Sequence, residues 1–408
     1  MATIAEAMTL ANIPDEIMFS VLAEINAIDL CHAACASARF CDLVADARLW
    51  ASLCHARWPP VRAEEPTHGW RREYARRHAK DAKALHLLGR MASVSDEITQ
   101  ASAERRSACW RELLALGEEV MGAVASVVTD KTQPEVLRSE AGKSLTGLNQ
   151  STVLRHWRKL MSMPSDGVPV EAGALLLVQF YRTTEQLCYP ERCVDVTEEI
   201  DAFAHRLRSR LAEPISAVGA VRALAELLCK EEGFEGNEAD YYDHRNSLLD
   251  NVITSRKGIP ISLSVLFAAV CARVGVPLDM IGLPGHFLLG TRSEGPSGER
   301  LFIDVFHSGR LLNIDQCEAI VRAYGIPWSE ELARPVPLTE VWGRQVRNLA
   351  NCHKQSGEFD KLQLTEALLA AELNNSTGHI PYPGTATRSE PGQGALLQML
   401  QALLREQG

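Results

Sequence analysis

Apolar positions recur at helical spacing along most of this chain and change to alternation in one stretch only. The first helical signal is NIPDEIMFSVLAEI. Pro14 suits a first turn, Asp15 and Glu16 sit near the positive helix end, and Ile17, Val21, Leu22 and Ile25 make the apolar stripe expected to face a core. AIDLCHAACASARFCDLVAD predicts a second and third short helix, and ARLWASLCHARWP closes the unit with Trp50, Leu53 and Trp58. So short a unit buries little surface, so it is expected to lean on a partner or on the chain that follows it. Residues 61–165 read as charged helix, with WRREYARRHAK a basic stripe on a solvated face. Gly and Ser loosen MASVSDE and SMPSDG, which puts a domain edge near Pro164–Gly167.

From Val168 the periodicity sharpens. VEAGALLLVQF, EEIDAFAHRLRSRL and AVRALAELLCKEEGF are three helices, the last stopped by Gly233. Asn246 or Ser247 is placed to cap a short helix after DYYDHRN. Gly258–Pro277, GIPISLSVLFAAVCARVGVP, is apolar almost all round, the mark of a buried helix, and is entered through a Gly-x-Pro turn. Short strands follow in DMIGLPGHFLLG, RLFIDVF and GRLLNID, with RSEGPSGER a surface hairpin loop. Residues 338–373 return to helix, two of them meeting at Ser356-Gly357-Glu358, without a sustained 34-residue period. NNSTGHIPYPGTATRSEPGQG has no apolar period and is expected to be disordered, ahead of a last short helix in ALLQMLQALLREQ. The fold class expected is mainly α with a small antiparallel sheet (α+β).

Composition narrows the functional classes. A net charge of -10 over 408 residues argues against nucleic acid or an anionic membrane as the main partner. The N-terminus lacks the basic and apolar regions of a signal peptide, and no 18-residue apolar window predicts a span. Eleven cysteines, an odd number set mostly in apolar helical patterns, read as buried reduced thiols of a cytoplasmic or nuclear protein. Cys31, His32 and Cys35 lack a second pair at ligand spacing, so apolar packing is expected there, with no metal and no cofactor. No phosphate-cradling glycine loop is present, GLPG being too short.

Ile13-Pro14-Asp15-Glu16, Asp29-Leu30 and Leu49-Trp50-Ala51-Ser52-Leu53-Cys54 resemble the opening, middle and close of a three-helix F-box. That resemblance implies a Skp-type adaptor as partner and through it a cullin scaffold, with Ile13, Pro14, Glu16, Leu22, Leu30 and Trp50 at or beneath the contact. EEGFEGNEADYYDHRNSLLDNVITSRKGIPISLSVLF, GLPGHFLLG and RQVRNLANCHKQSGEFDK resemble the bacterial SirB-type proteins, which join a transglutaminase-like core to a tetratricopeptide-like tail. F-box and core together resemble the eukaryotic F-box-only group with a SirB-type module. The domains expected are 8–60 F-box, 61–166 helical linker, 167–335 transglutaminase-like (papain-like), 336–373 tetratricopeptide-like pair and 374–408 mostly disordered tail.

The transglutaminase-like resemblance implies a thiol at a helix start, with a His base on the next strand and an Asp behind it. His286 and Asp304 stand at those His and Asp places, but Pro260 occupies the place of the cysteine. Proline has no proton to lose and no lone pair to attack with, so the thiol mechanism is absent there. Two readings of the domain follow, beside a third in which the chain is a stress or assembly scaffold that uses its helical tail as a peptide dock. In one, the domain is a non-catalytic binding module that presents an unknown substrate protein to the ligase. In the other, Ser262, in the first helical turn, replaces the thiol in a hydrolase or acyl-transferase with His286 and Asp304. Cys271 lies three turns on, about 15 Å from the helix start, and is expected to be a packing residue. Tyr241, Tyr242, Asp243, Arg245 and Asn246 either line a groove near His286 or cap and staple the helix that follows.

Overall fold

The computed structural model describes residues 13–58, 66–93, 100–164, 167–292 and 300–372. The tail and its final helix, the N-terminal dozen residues and most of the RSEGPSGER loop lie outside them. The chain divides into two compact units, Met1–Gly142 and Lys143–Gly408.

The first unit opens with α1 (Asp15–Leu22), α2 (Ala27–Ala36), α3 (Ala38–Val44) and α4 (Ala47–Arg57). α2 and α3 are the two short helices expected in AIDLCHAACASARFCDLVAD, parted where Ser37 leaves the helical conformation and its side chain caps the latter, while α4 makes a fourth helix of the segment that closes the unit. Asn26 and Asp46 cap α2 and α4 in the same way. Leu22, Leu30, Val44, Leu49, Trp50 and Cys54 make the core, and the Trp50 indole donates to the Val44 carbonyl at 2.7 Å. Trp70 and Tyr74 of α5 (Trp70–Ala92) complete this core, so α1–α4 draw on the chain that follows them.

One sequence expectation fails in α1. Ile17 and Val21 face outward, each 54 % exposed, while Met18 and Leu22 point in. The helix carries two apolar i,i+4 stripes, and periodicity does not say which is buried. Cys31 and Cys35 are exposed too, not packed as expected, since the inner face of α2 is set by Ala27 and Leu30. Beyond α5 come α6 (Gln100–Leu116), α7 (Met121–Thr129) and α8 (Glu135–Met161), and the division between units falls within α8. The basic stripe of α5 is partly neutralised in place. Arg76 and Arg77 bond the buried Glu73, and Arg76 and Lys80 bond Glu119, whose carboxyl is held at about 2, chiefly by Arg76.

The second unit is built around α14 (Pro260–Arg273), whose residues Pro260 to Cys271 are all buried, as its unbroken apolar sequence demands. Around it pack α9 (Ala172–Tyr181), α11 (Val196–Arg208), α12 (Ala217–Ala225, continued as a π-helix over Glu226–Glu231) and α13 (Leu249–Ser255), with α10 (Thr184–Cys188) a short connector. Val153, Leu154 and Trp157 of α8 join the same core, so packing reaches upstream of the Pro164–Gly167 loop.

The strands β3 (Leu278–Ile281), β4 (Leu288–Thr291), β5 (Phe302–Asp304) and β6 (Arg310–Leu312) form an antiparallel meander. Sequence reading did not foresee the parallel pair β1 (Glu235–Gly236) with β2 (Lys257–Gly258), which is too short to show a period. After α15 (Ile314–Ala323), α16 (Leu338–Ser356) and α17 (Phe359–Glu372) meet at Gly357, which takes a left-handed conformation. This pair is sewn into the core by Trp342, Val346, Leu349 and Leu368. A side chain on Gly173 would collide with the Trp342 ring, so α9 and α16 meet closely only because that residue is glycine.

Candidate functional site

The helix start expected to hold a nucleophile is occupied by structural bonds. Pro260 is the first residue of α14, where its missing N–H costs nothing. The Ser262 hydroxyl is fully buried, donates to the Asn246 carbonyl at 2.6 Å and lies 3.1 Å from the Ile259 carbonyl. It also accepts the Ile259 N–H at 3.1 Å. A Cβ on Gly258 would approach the Ser262 oxygen to 2.9 Å, so that glycine makes room for the hydroxyl. Ser262 thus closes the turn into α14 and ties it to the Asn246 loop. Among the described residues it forms no hydrogen bond with His286 or Asp304.

His286 and Asp304 do come together. His286 follows β3 on a turn shaped by Gly285, whose φ is +71°, and Asp304 ends β5. The antiparallel register of β3, β4 and β5 brings these two points to one end of the sheet. Nε2 of His286 lies 3.0 Å from Asp304 Oδ1, an ion-pair distance. That contact is not aligned as a hydrogen bond, so among the described residues Nε2 has no hydrogen-bond partner.

Sequence reasoning missed His307, three residues past Asp304. Its Nδ1 lies 2.8 Å from Asp304 Oδ2 and its backbone N–H donates to Oδ1 at 3.3 Å. Arg310 adds a guanidinium 3.4 Å from Oδ2. Burial pushes the Asp304 carboxyl upward, but the neighbouring imidazoles outweigh it and hold the group below its ordinary value.

Two further residues fix the His286 turn. Arg344 of α16 donates to the carbonyls of Leu283 and His286 at 3.0 and 3.1 Å. Burial draws its pKa below the ordinary arginine value. The Tyr324 ring packs where a Cβ of Gly285 would stand, and its hydroxyl donates to the Gly285 carbonyl at 3.4 Å. Arg344 opens the run RQVRNLANCHKQSGEFDK, but sequence alone gives no sign that it reaches back 58 residues to His286.

The DYYDHRN segment mostly caps itself. Asp243 caps a 3-10 turn over His244–Ser247 and forks onto Arg245. The expected capping by Asn246 or Ser247 is not observed. The helix after them starts from Leu248 without a side-chain cap, and the buried Asn246 amide turns inward to the Asp240 carbonyl and the Asn237 side chain. Tyr242 is exposed, and a surface depression of about 450 Å³ lies over Ala239–Asp243 and Arg245. Tyr241 alone connects to the histidine, through Phe306, whose ring is edge-on to both at 6.3 and 6.4 Å.

A second imidazole cluster lies elsewhere in this unit. His353 is fully buried, with Nδ1 2.9 Å from Glu358 and Nε2 2.8 Å from the Tyr181 hydroxyl, which reaches Thr365 at 2.8 Å. His244 lies beside it with its ring tilted, the centroids 5.1 Å apart. Burial holds both histidines below the ordinary imidazole value and raises Tyr181.

All eleven cysteines are free, and Cys271 is pushed up to about 12 by burial, as a packing residue should be. Cys317 reaches about 12 through burial and the Asp304 charge. Among the described residues no cysteine sulfur bonds His286 or His307, and no helix is long and apolar enough to cross a membrane.

Comparison with known proteins agrees with this architecture. Residues 194–347 match the family model of the transglutaminase-like superfamily, and residues 10–56 match the F-box-like model. A UPF0162 protein of Xylella fastidiosa is 29 % identical over 219 residues, which is 52 % of this chain and 74 % of that protein. F-box only protein 21 of Mus musculus is 27 % identical over 246 residues, 55 % of this chain but only 39 % of that protein. A UPF0162 protein of Vibrio cholerae is 40 % identical over 86 residues, 21 % of this chain and 31 % of that protein. No solved structure matches. The chain thus carries an F-box-like segment followed by a transglutaminase-like domain, and it is similar to UPF0162 proteins and to F-box only protein 21.

Proposed function

We propose that this protein is a substrate-recognition subunit of a Skp-cullin-F-box ubiquitin ligase, acting in the cytoplasm or nucleus. In this reading the F-box docks a Skp-type adaptor and through it a cullin, while the transglutaminase-like domain grips a substrate protein without catalysis of its own. The observation that carries the adaptor half is the outward apolar stripe of the F-box helices. Ile17 and Val21, 54 % exposed, and Ile28, 65 % exposed, stand beside the exposed Pro14 on a unit whose own core is already filled. Leu22, Leu30 and Trp50 lie beneath as supports, so their part in adaptor binding is to hold that face in shape.

The non-catalytic half is supported by Pro260 at the nucleophile's place and by the backbone bonds that occupy Ser262. The hydrolase or acyl-transferase alternative draws on the His286–Asp304 contact, but needs Ser262 to leave those bonds.

Co-purification with a Skp-type adaptor tests the first half. The wild-type chain is expected to form a complex that Ile17→Asp with Val21→Asp abolishes while the fold persists. No wild-type complex, or one indifferent to that pair, overturns it. A serine-directed acylating probe tests the second: labelling of wild type that Ser262→Ala removes would establish the enzyme instead.

A further inference from the structure

We propose that His286, Asp304 and His307 bind a divalent transition-metal ion of the zinc class. One ligand atom from each of the three lies within 4.8 Å of the others. The carboxylate stands between the rings, Oδ1 3.0 Å from Nε2 of His286 and Oδ2 2.8 Å from Nδ1 of His307. Two imidazoles and one carboxylate are a donor set suited to zinc and its neighbours, and three protein ligands leave a fourth position open.

Proximity alone would not carry this, since His and Asp also pair for structural reasons. The second observation is Nε2 of His286. The side chain is only 10 % exposed, yet this nitrogen has no aligned hydrogen-bond partner. A buried polar atom left so is costly and uncommon. A cation between Nε2 and the carboxylate gives the lone pair a partner. The turn is also held ready: Arg344 pins the carbonyls of Leu283 and His286, and Tyr324 fills the space beside Gly285. Such outer bonds orient metal ligands.

The other cluster with suitable donors, His244, His353 and Glu358, lacks this opening, because both nitrogens of His353 are already engaged. Arg310 competes for Asp304 from 3.4 Å, but its side chain is 57 % exposed and free to turn to solvent.

The full-length chain, stripped with a chelator under reducing conditions, is titrated with Co²⁺ and then Zn²⁺. One Co²⁺ should bind with d–d absorption and no thiolate charge-transfer band, which separates this site from the eleven cysteines. Zn²⁺ should displace it. His307→Ala and Asp304→Asn should each weaken Co²⁺ binding by at least ~10-fold, the lower bound even for loss of an outer-sphere partner. His244→Ala should leave it unchanged. No binding, binding with only the thiolate band, or equal affinity in wild type and His307→Ala overturns the assignment. If Asp304→Asn fails to fold, His307→Ala decides, because that side chain is 49 % exposed. The titration contains no adaptor, so the metal site and the ligase role stand or fall separately.

Discussion

The two imidazole clusters of the second unit use their ring nitrogens in opposite ways. Both ring nitrogens of His353 are engaged: Nδ1 meets Glu358, Nε2 meets Tyr181, and Tyr181 meets Thr365. The result joins α9, α16 and α17 where apolar contacts alone would leave the helices free to slide. Around His286 the Asp304 carboxylate is bonded by His307 and Arg310, but Nε2 of His286 has no hydrogen-bond partner among the described residues. A fully satisfied buried network rigidifies a structure, whereas a buried polar atom without a partner calls for an explanation such as a catalytic role, a water or an ion. The difference makes the first cluster architectural and motivates the binding role proposed for the second.

The comparison breaks most readily at His353. Replacing it with Leu should destabilise the second unit by ~2–4 kcal/mol, because Tyr181 and Glu358 each lose their bond to the buried ring. Urea unfolding followed by intrinsic fluorescence reads this directly, and a loss no larger than that of His286→Leu would erase the distinction. Ser262→Ala comes next, at ~1–3 kcal/mol, because it strips the Ile259 N–H and the Asn246 carbonyl of a buried partner. A neutral result would mean that this hydroxyl is available for chemistry after all.

The pH dependence sharpens the contrast further. Burial holds His353 and His244 below 6.5 in the folded state, so the unfolded chain takes up protons first as pH falls. Stability should therefore decline below pH 6.5 and stop declining on this account once the folded-state values are passed. A second decline should begin near pH 4.5, where Glu358, held at about 2 chiefly by Lys361 and His353, is protonated in the unfolded chain but not in the folded one. Asp304, held low by its imidazoles, acts with the same sign. In His353→Leu the first decline should shrink. The smallest effect belongs to His307→Ala, which should change stability without metal by less than ~0.5 kcal/mol, since half its side chain already meets solvent.

Much of this was legible in the chain itself. The run Gly258–Pro277 is apolar on all sides and could only be a central helix, and the order of His286 and Asp304 behind short strands foretold their meeting. What escaped notice has two causes. Periodicity marks that α1 is amphipathic, but with Ile17/Val21 and Met18/Leu22 on adjacent stripes it cannot choose the buried one. Partners distant in sequence are also invisible: Ser262 looks like a free hydroxyl until Asn246, 16 residues upstream, arrives beside it. Tyr181 and His353 lie 172 residues apart. His307 went unremarked because a histidine three residues past an aspartate is ordinary at the end of a strand.

The reach of Arg344 back to Leu283 and His286 bears on how this module can be dissected. A fragment ending near residue 335 would retain all six strands and the whole of α14, and would look like a self-sufficient catalytic-type core. It would nonetheless lack the guanidinium that grips the histidine turn, and Trp342 would no longer fill the notch at Gly173. The α16–α17 pair is thus the keystone of the arch and not an appendage, and a boundary drawn soon after β6 would remove the stone that keeps His286 in place.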